Sequence, residues 1–171
     1  MSQKSLSLIY LITKRLQDMG QIADKLKVYK LMYFVDFEFY LKQKKSISGG
    51  QYYNCQFGPV PATNQQNYFK DNLIDKGVSK KLWTLRNDNE ILTNVDKMKE
   101  LESFHVDEIE TIDQILDVYG KLKSMDLVTL THQDVPWKMT KNGEVIEYDY
   151  VFWRETEEVQ IKNITEQVLQ A

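Results

Sequence analysis

Asp24-Lys25-Leu26-Lys27-Val28-Tyr29-Lys30-Leu31-Met32-Tyr33-Phe34-Val35-Asp36-Phe37-Glu38-Phe39-Tyr40-Leu41-Lys42 is the stretch on which the fold turns. Val28, Leu31, Met32, Val35 and Phe39 recur at helical spacing, while Tyr29, Tyr33, Phe34, Phe37 and Tyr40 fill most of the other faces. A helix that is apolar nearly all round belongs at the centre of a fold, with neighbours on several sides. Asp24 is placed to cap it. Such aromatic density can line a ligand, but aromatic residues at helical spacing more commonly form core.

Upstream, Leu8, Ile12, Leu16 and Met19 give an amphipathic helix from about Ser5 to Met19, stopped by Gly20. Downstream, Ser48-Gly49-Gly50 breaks the central helix, and Gln51 to Phe57 reads as a short strand running into the extended turn Gly58-Pro59-Val60-Pro61. Thr63 or Asn64 caps a helix carrying Tyr68, Phe69, Leu73 and Ile74 and closed by Gly77. Leu82–Leu85 and Glu90–Thr93 flank the turn Arg86-Asn87-Asp88-Asn89 as a β-hairpin, with Trp83 and Leu85 on one face.

Asp107 to Leu122 is a helix with its carboxylates in the first turn, where the helix dipole favours them. Ser124 caps a shorter one from Met125 to about Leu130. Thr131-His132-Gln133-Asp134-Val135-Pro136-Trp137 reads as a loop, and Asn142-Gly143 as a turn. A last helix runs from Thr156 to about Leu169. Before it, Tyr148, Tyr150, Phe152 and Trp153 cluster as either a strand or a protein-binding edge. These segments predict a predominantly helical α+β fold. It is a single compact domain over residues 1–171, with a central aromatic-rich helix, five to six helices and a small antiparallel sheet or hairpin.

Composition agrees with one soluble domain: 171 residues, 42% apolar, 12% aromatic and 27% charged. Disordered and collagen-like classes are excluded. The densest apolar stretch, Leu31 to Leu41, carries Asp36 and Glu38 and is too short to span a bilayer. The N-terminal segment lacks an uninterrupted apolar core or a cleavage site, and the lone Cys55 calls for no oxidising compartment. The expected location is the cytoplasm. Residues 1–86 hold 14 Lys and Arg against 6 Asp and Glu, whereas residues 87–171 hold 8 against 19. That contrast either spreads over one folded surface or steers different partners to different faces.

No motif announces catalysis. The one thiol set is Cys55 with His105 or His132, and no nucleophile signature surrounds that cysteine. The histidines lie outside any metal-ligand spacing, and Ser48-Gly49-Gly50 lacks the lysine and helix start of a phosphate loop, so no catalytic, metal or cofactor residue is assigned. Lys42, Lys44 and Lys45 beside Tyr52 and Tyr53 could grip a nucleic-acid backbone, although lysines at a helix end equally complement its dipole, and an acidic chain argues against a general nucleic-acid binder. In Thr131–Trp137, the histidine reads either as a structural cap beside a tryptophan anchor or as part of a binding loop.

Three separated motifs carry a resemblance. Lys30-Leu31-Met32-Tyr33-Phe34-Val35-Asp36, then Ile47-Ser48-Gly49 with a strand into Phe57-Gly58-Pro59-Val60-Pro61, then Tyr119 followed by Leu127–His132 and Pro136-Trp137, resemble the Panacea domain family. This family is also called SocA-like antitoxin or GepA, genetic element protein. The resemblance covers roughly residues 5 to 165. It implies a small, mostly helical antitoxin, not an enzyme, commonly encoded beside a toxin or on prophage-like mobile elements, that neutralises its toxin by direct protein binding. In the namesake the antitoxin is an adaptor delivering the toxin to an ATP-dependent protease.

The family-defining positions that match are Tyr33, Asp36, Gly58, Pro59, Val60, Thr131, His132, Pro136 and Trp137, and Tyr53 and Phe57 join them as candidate partner-binding residues. Most are expected to shape the fold around a shared groove rather than to contact one invariant partner. The Phe57–Pro61 turn and the Thr131–Trp137 loop are expected to pack together with the toxin docking nearby, since binding residues gather on loops held by a rigid frame. No cofactor and no membrane partner is implied. The chain starts directly with the domain, so the N-terminal DNA-binding module of some relatives is expected to be absent. Other classes predict other behaviour: a mobile-element protein binding a host factor, a hydrolase dependent on Cys55, or a nucleic-acid binder dependent on Lys42, Lys44 and Lys45.

Overall fold

The structure, a computed structural model, describes residues 2–62, 79–83, 88–93 and 103–156. Helix α1 (Gln3–Asp18) opens where the Ser2 hydroxyl accepts from the Ser5 amide at 3.1 Å, and the chain leaves it through Gly20 at φ +69°. Leu8, Ile12 and Leu16 are fully buried, as their spacing requires. Helix α2 (Lys25–Gln43) is capped by Asp24, whose carboxylate accepts from the Lys27 amide at 2.9 Å. It ends at Gln43, close to the expected end at about Lys42 and ahead of the Ser48–Gly50 break. Lys44 takes a left-handed conformation at φ 54°, and its amide bonds the Tyr40 carbonyl at 2.8 Å.

Helix α2 is the centre of the molecule. Val28, Leu31, Met32, Tyr33, Val35, Phe37 and Phe39 are all essentially inaccessible to solvent. Around it pack α1, the helices α3 (Val106–Tyr119) and α4 (Ser124–Gln133), and a 3₁₀ helix (Tyr148–Thr156). A short helix α5 (Val135–Lys138) joins α4 to the segment that leads to the 3₁₀ helix. Fully burying one such side chain stabilises by roughly 1.5–3 kcal/mol, so this helix dominates the stability of the core. No helix among the described residues is long and apolar enough to cross a membrane.

The strand content is small. β1 (Tyr52–Tyr53) pairs antiparallel with β2 (Val60–Pro61), Tyr52 opposite Pro61 and Tyr53 opposite Val60. On its other side Tyr53 bridges Val145, and the Ile146 amide donates to the Tyr52 carbonyl at 2.7 Å. The expected strand from Gln51 to Phe57 is therefore cut short. Gly58, at φ +81°, turns the chain so that its amide donates back to the Cys55 carbonyl at 2.9 Å. β3 (Ser79–Trp83) and β4 (Asp88–Leu92) form the second antiparallel pair, starting earlier than the expected hairpin, with Trp83 opposite Asp88.

Three further segments differ from the expected structure. Ser124 is the first residue of α4, not its cap; its hydroxyl donates to the Asp24 carboxylate, while the Lys123 amide is satisfied by Asp126 at 3.2 Å. Residues Thr131–Trp137 are not a loop. Helix α4 runs on to Gln133, Asp134 alone is extended, and Pro136 sits in the first turn of α5, where a missing N–H breaks no helical bond. The aromatic run Tyr148–Trp153 is a 3₁₀ helix rather than a strand, which turns Tyr148, Val151 and Phe152 toward α2 and leaves Trp153 exposed. Tyr148 stacks on Phe37 and Tyr40, with ring centroids 4.5 and 5.0 Å away.

The described residues thus form a predominantly helical α+β fold of six helices and two small antiparallel pairs. The helix expected between Thr63 and Gly77, the facing of Leu85 and the final helix beyond Thr156 lie outside the described residues.

Candidate functional site

Three polar residues of α2, Lys30, Tyr33 and Asp36, follow one another at three-residue steps and are all completely buried. Burial of polar groups is tolerated only when each finds a partner. Asp36 accepts from the Ser48 amide at 2.8 Å, from the Ser48 hydroxyl and from the Tyr52 hydroxyl at 2.6 Å. The Ser48 carbonyl in turn accepts from the hydroxyls of Ser2 at 2.8 Å and Ser5 at 3.2 Å. One carboxylate thereby ties α2 to the chain that follows it, to β1 and, through Ser48, to α1. Burial raises the Asp36 pKa, opposed by the bonds from Ser48 and Tyr52. Tyr52 is pushed well up by the same burial and by the neighbouring carboxylate.

A second brace closes the other side of α2. The Tyr33 hydroxyl donates to Asp134 at 2.6 Å, and Arg154 of the 3₁₀ helix clasps the same carboxylate with bonds of 2.7 and 2.5 Å. Burial alone would lower the Arg154 pKa; the Asp134 charge more than offsets it and holds the guanidinium firmly ionised. Asp134 is the extended residue between α4 and α5, so the break between those helices is where the anionic partner of Tyr33 and Arg154 sits. Asp134, Arg154, Ser48 and Tyr52 were not among the candidate residues. An Asp two residues before a proline was a legible helix-start signal, but no sequence pattern announces the arginine twenty residues on.

The third polar residue is less well compensated. Lys30 donates to the Pro59 carbonyl at 2.6 Å and, among the described residues, meets no carboxylate. Burial pushes its pKa down to about 7, opposed by Cys55. The Gly58 turn covers it: a Cβ on Gly58 would collide with Thr131 Oγ1 and come within 3.0 Å of Lys30 Cε. The Phe57–Pro61 turn is therefore packed directly against α2 and α4. Beside it His132 stacks on Trp137, ring centroids 4.2 Å apart, and hydrogen-bonds the Gln56 backbone. Burial and then Lys30 lower the His132 pKa. Among the described residues, its Nε2 and the Trp137 Nε1 have no hydrogen-bond partner. Asn54 fastens α5 to β1, donating from Nδ2 to the carbonyls of Trp137 at 3.0 Å and Thr140 at 2.7 Å.

The candidate residues divide by exposure. Tyr33, Asp36, Gly58, Pro59, Thr131 and Pro136 are buried; Val60, His132 and Trp137 are half-buried; Tyr53 and Phe57 are exposed. The side chains of the first group lie inside the fold. Other chemistries find little footing. Burial raises the Cys55 thiol pKa, only partly opposed by Lys30, which disfavours the thiolate a cysteine hydrolase needs. Among the three lysines of the basic run, Lys42 reaches Glu38 at 3.2 Å and Gln114 at 3.0 Å, and Lys45 lies over the Phe39 ring.

Over residues 28–138 the chain matches the family described as antitoxin SocA-like, Panacea domain. That span runs from α2 through α5 and holds both Asp36 and Asp134, and the chain belongs to this family. It is narrower than the expected 5 to 165. No curated protein and no solved structure matches the chain.

Proposed function

We propose that the chain is the antitoxin of a toxin–antitoxin pair and neutralises a toxin, encoded by an adjacent gene, through direct protein binding. It does so without catalysis and without a cofactor, as one domain over residues 1–171, in the cytoplasm where the toxin is made. The observation that carries this reading is membership of the SocA-like antitoxin family over residues 28–138. The site supports it in a specific way. Polar residues of the matched span are used up in holding α2, α4, α5 and the Gly58 turn together, and a rigid frame of this kind keeps a binding surface preorganised, which lowers the entropy lost on association. Delivery of the toxin to an ATP-dependent protease is a finer form of the same reading, since an adaptor must first hold its cargo.

Co-expression with the product of the adjacent gene tests the proposal. Growth arrested by the neighbour alone, restored by this chain, and a complex retained through purification are the expected results. A toxic neighbour that stays toxic, or that never co-purifies, contradicts it. Loss of the toxin that depends on both this chain and an ATP-dependent protease identifies the adaptor form.

A further inference from the structure

The chain is 27% charged, yet between Lys45 and Lys70 it carries no Asp, Glu, Lys or Arg. The described part of that segment supplies β1, the Gly58 turn and β2. Two of its large side chains face solvent, Tyr53 and Phe57, each 39% exposed. Tyr53 stands directly opposite Val60 on one side and Val145 on the other. Residues directly opposite across strands share a face, so a row of three apolar side chains crosses the outer surface of the small sheet. Adjoining it is a shallow pocket of about 430 Å³ lined by Asn54, Gln56, Trp137, Lys138, Thr140 and Asn142, of which Lys138 alone is charged. Met139, between two of these lining residues, is 45% exposed.

Depletion of charge together with exposed aromatic anchors marks the centre of a protein interface rather than its rim. We propose that this face, from the Val60–Tyr53–Val145 row across Phe57 to the Trp137 pocket, is where the toxin docks, and that the toxin meets it with an uncharged, apolar segment. This rests on the antitoxin reading above. The scarcity of charge on this face, where Lys138 is the one charged residue lining the pocket, sets the chemistry of its occupant. A charged segment would lose its hydration here with almost no opposite charge to meet, whereas apolar side chains carry no charge to desolvate. The contrast in charge between the two halves of the chain then acts away from the contact, and association depends little on salt.

Titration of the full chain with the product of the adjacent gene tests this. Tyr53→Ala and Phe57→Ala are each expected to weaken binding about tenfold or more, while Val118→Ser, at an exposed apolar position on α3, changes it by less than about twofold. Raising sodium chloride from about 50 to about 500 mM is expected to change Kd by less than about threefold. A photo-crosslinking residue in place of Phe57 is expected to trap the toxin covalently, and this arm stands even where an alanine variant folds poorly. Unchanged binding by both alanine variants, a Kd that weakens more than about tenfold with salt, no crosslink, or a homodimer dispersed by the same substitutions each overturns the assignment. Loss of the docking effects with wild-type binding intact defeats this inference alone; absence of wild-type binding defeats the antitoxin reading beneath it.

Discussion

Lys30 is a lysine in the middle of a core helix, held by one carbonyl, with its pKa brought down to about 7 by burial. In the unfolded chain the same group titrates near 10.5, so between those values the unfolded state binds more protons than the folded one. Stability therefore rises with pH across that window, by about 1.4 kcal/mol per pH unit at most, and is lost again as pH falls toward 7. Urea melts from pH 6.5 to 9 are expected to show the slope in the wild-type protein and its loss in Lys30→Met; an equal slope in both contradicts the assignment. Gly58 covers that lysine at φ +81° with no room for a side chain. Gly58→Ala is expected to cost about 1–3 kcal/mol, measured by thermal melting. A Thr131→Ala change made with it relieves the collision with Oγ1 but leaves the backbone strain.

Between elements, the Asp134 brace makes the sharpest prediction. Asp134→Ala removes the two close bonds to the buried Arg154 and leaves it Glu38 at 3.8 Å, and is expected to lower stability by about 2–3 kcal/mol, against about 1 kcal/mol for Tyr33→Phe, which removes a single neutral donor. Equal losses for the two would show that the arginine pair adds nothing. This brace also marks where the sequence could be read and where it could not. Helices α1, α2 and α3 were legible because their apolar spacing and the stop or capping residues Gly20 and Asp24 are local signals. The α4–α5 joint reads as a loop in the sequence because a proline ends one helix or begins the next, and only tertiary packing of Asp134 against Tyr33 and Arg154 decides which. The strand alternative for the aromatic run at Tyr148 fails for a similar reason. Its pattern fits a strand as well as a 3₁₀ helix, and stacking on Phe37 and Tyr40 selects the second. Which candidate residues are buried and which exposed was likewise invisible, since Tyr52 and Tyr53 are neighbours in sequence and point opposite ways.

At the scale of the whole molecule, the family's matched region does two separate jobs. Asp36, Tyr33, Lys30, Gly58 and Asp134 hold the helices and the turn in one arrangement, and on the docking proposed above the charge-poor face carrying Tyr53 and Phe57 is left to meet the toxin. That division is the central claim, and it predicts that stability and affinity respond to different residues. The most direct test measures the melting temperature and the Kd for the adjacent-gene toxin in the same two variants, Asp36→Asn and Phe57→Ala. Asp36→Asn is expected to lower the melting temperature by several degrees while the folded protein keeps its affinity, and Phe57→Ala to weaken binding about tenfold with little change in melting. Affinity lost in Asp36→Asn without loss of stability, together with unchanged binding by Phe57→Ala, would contradict it.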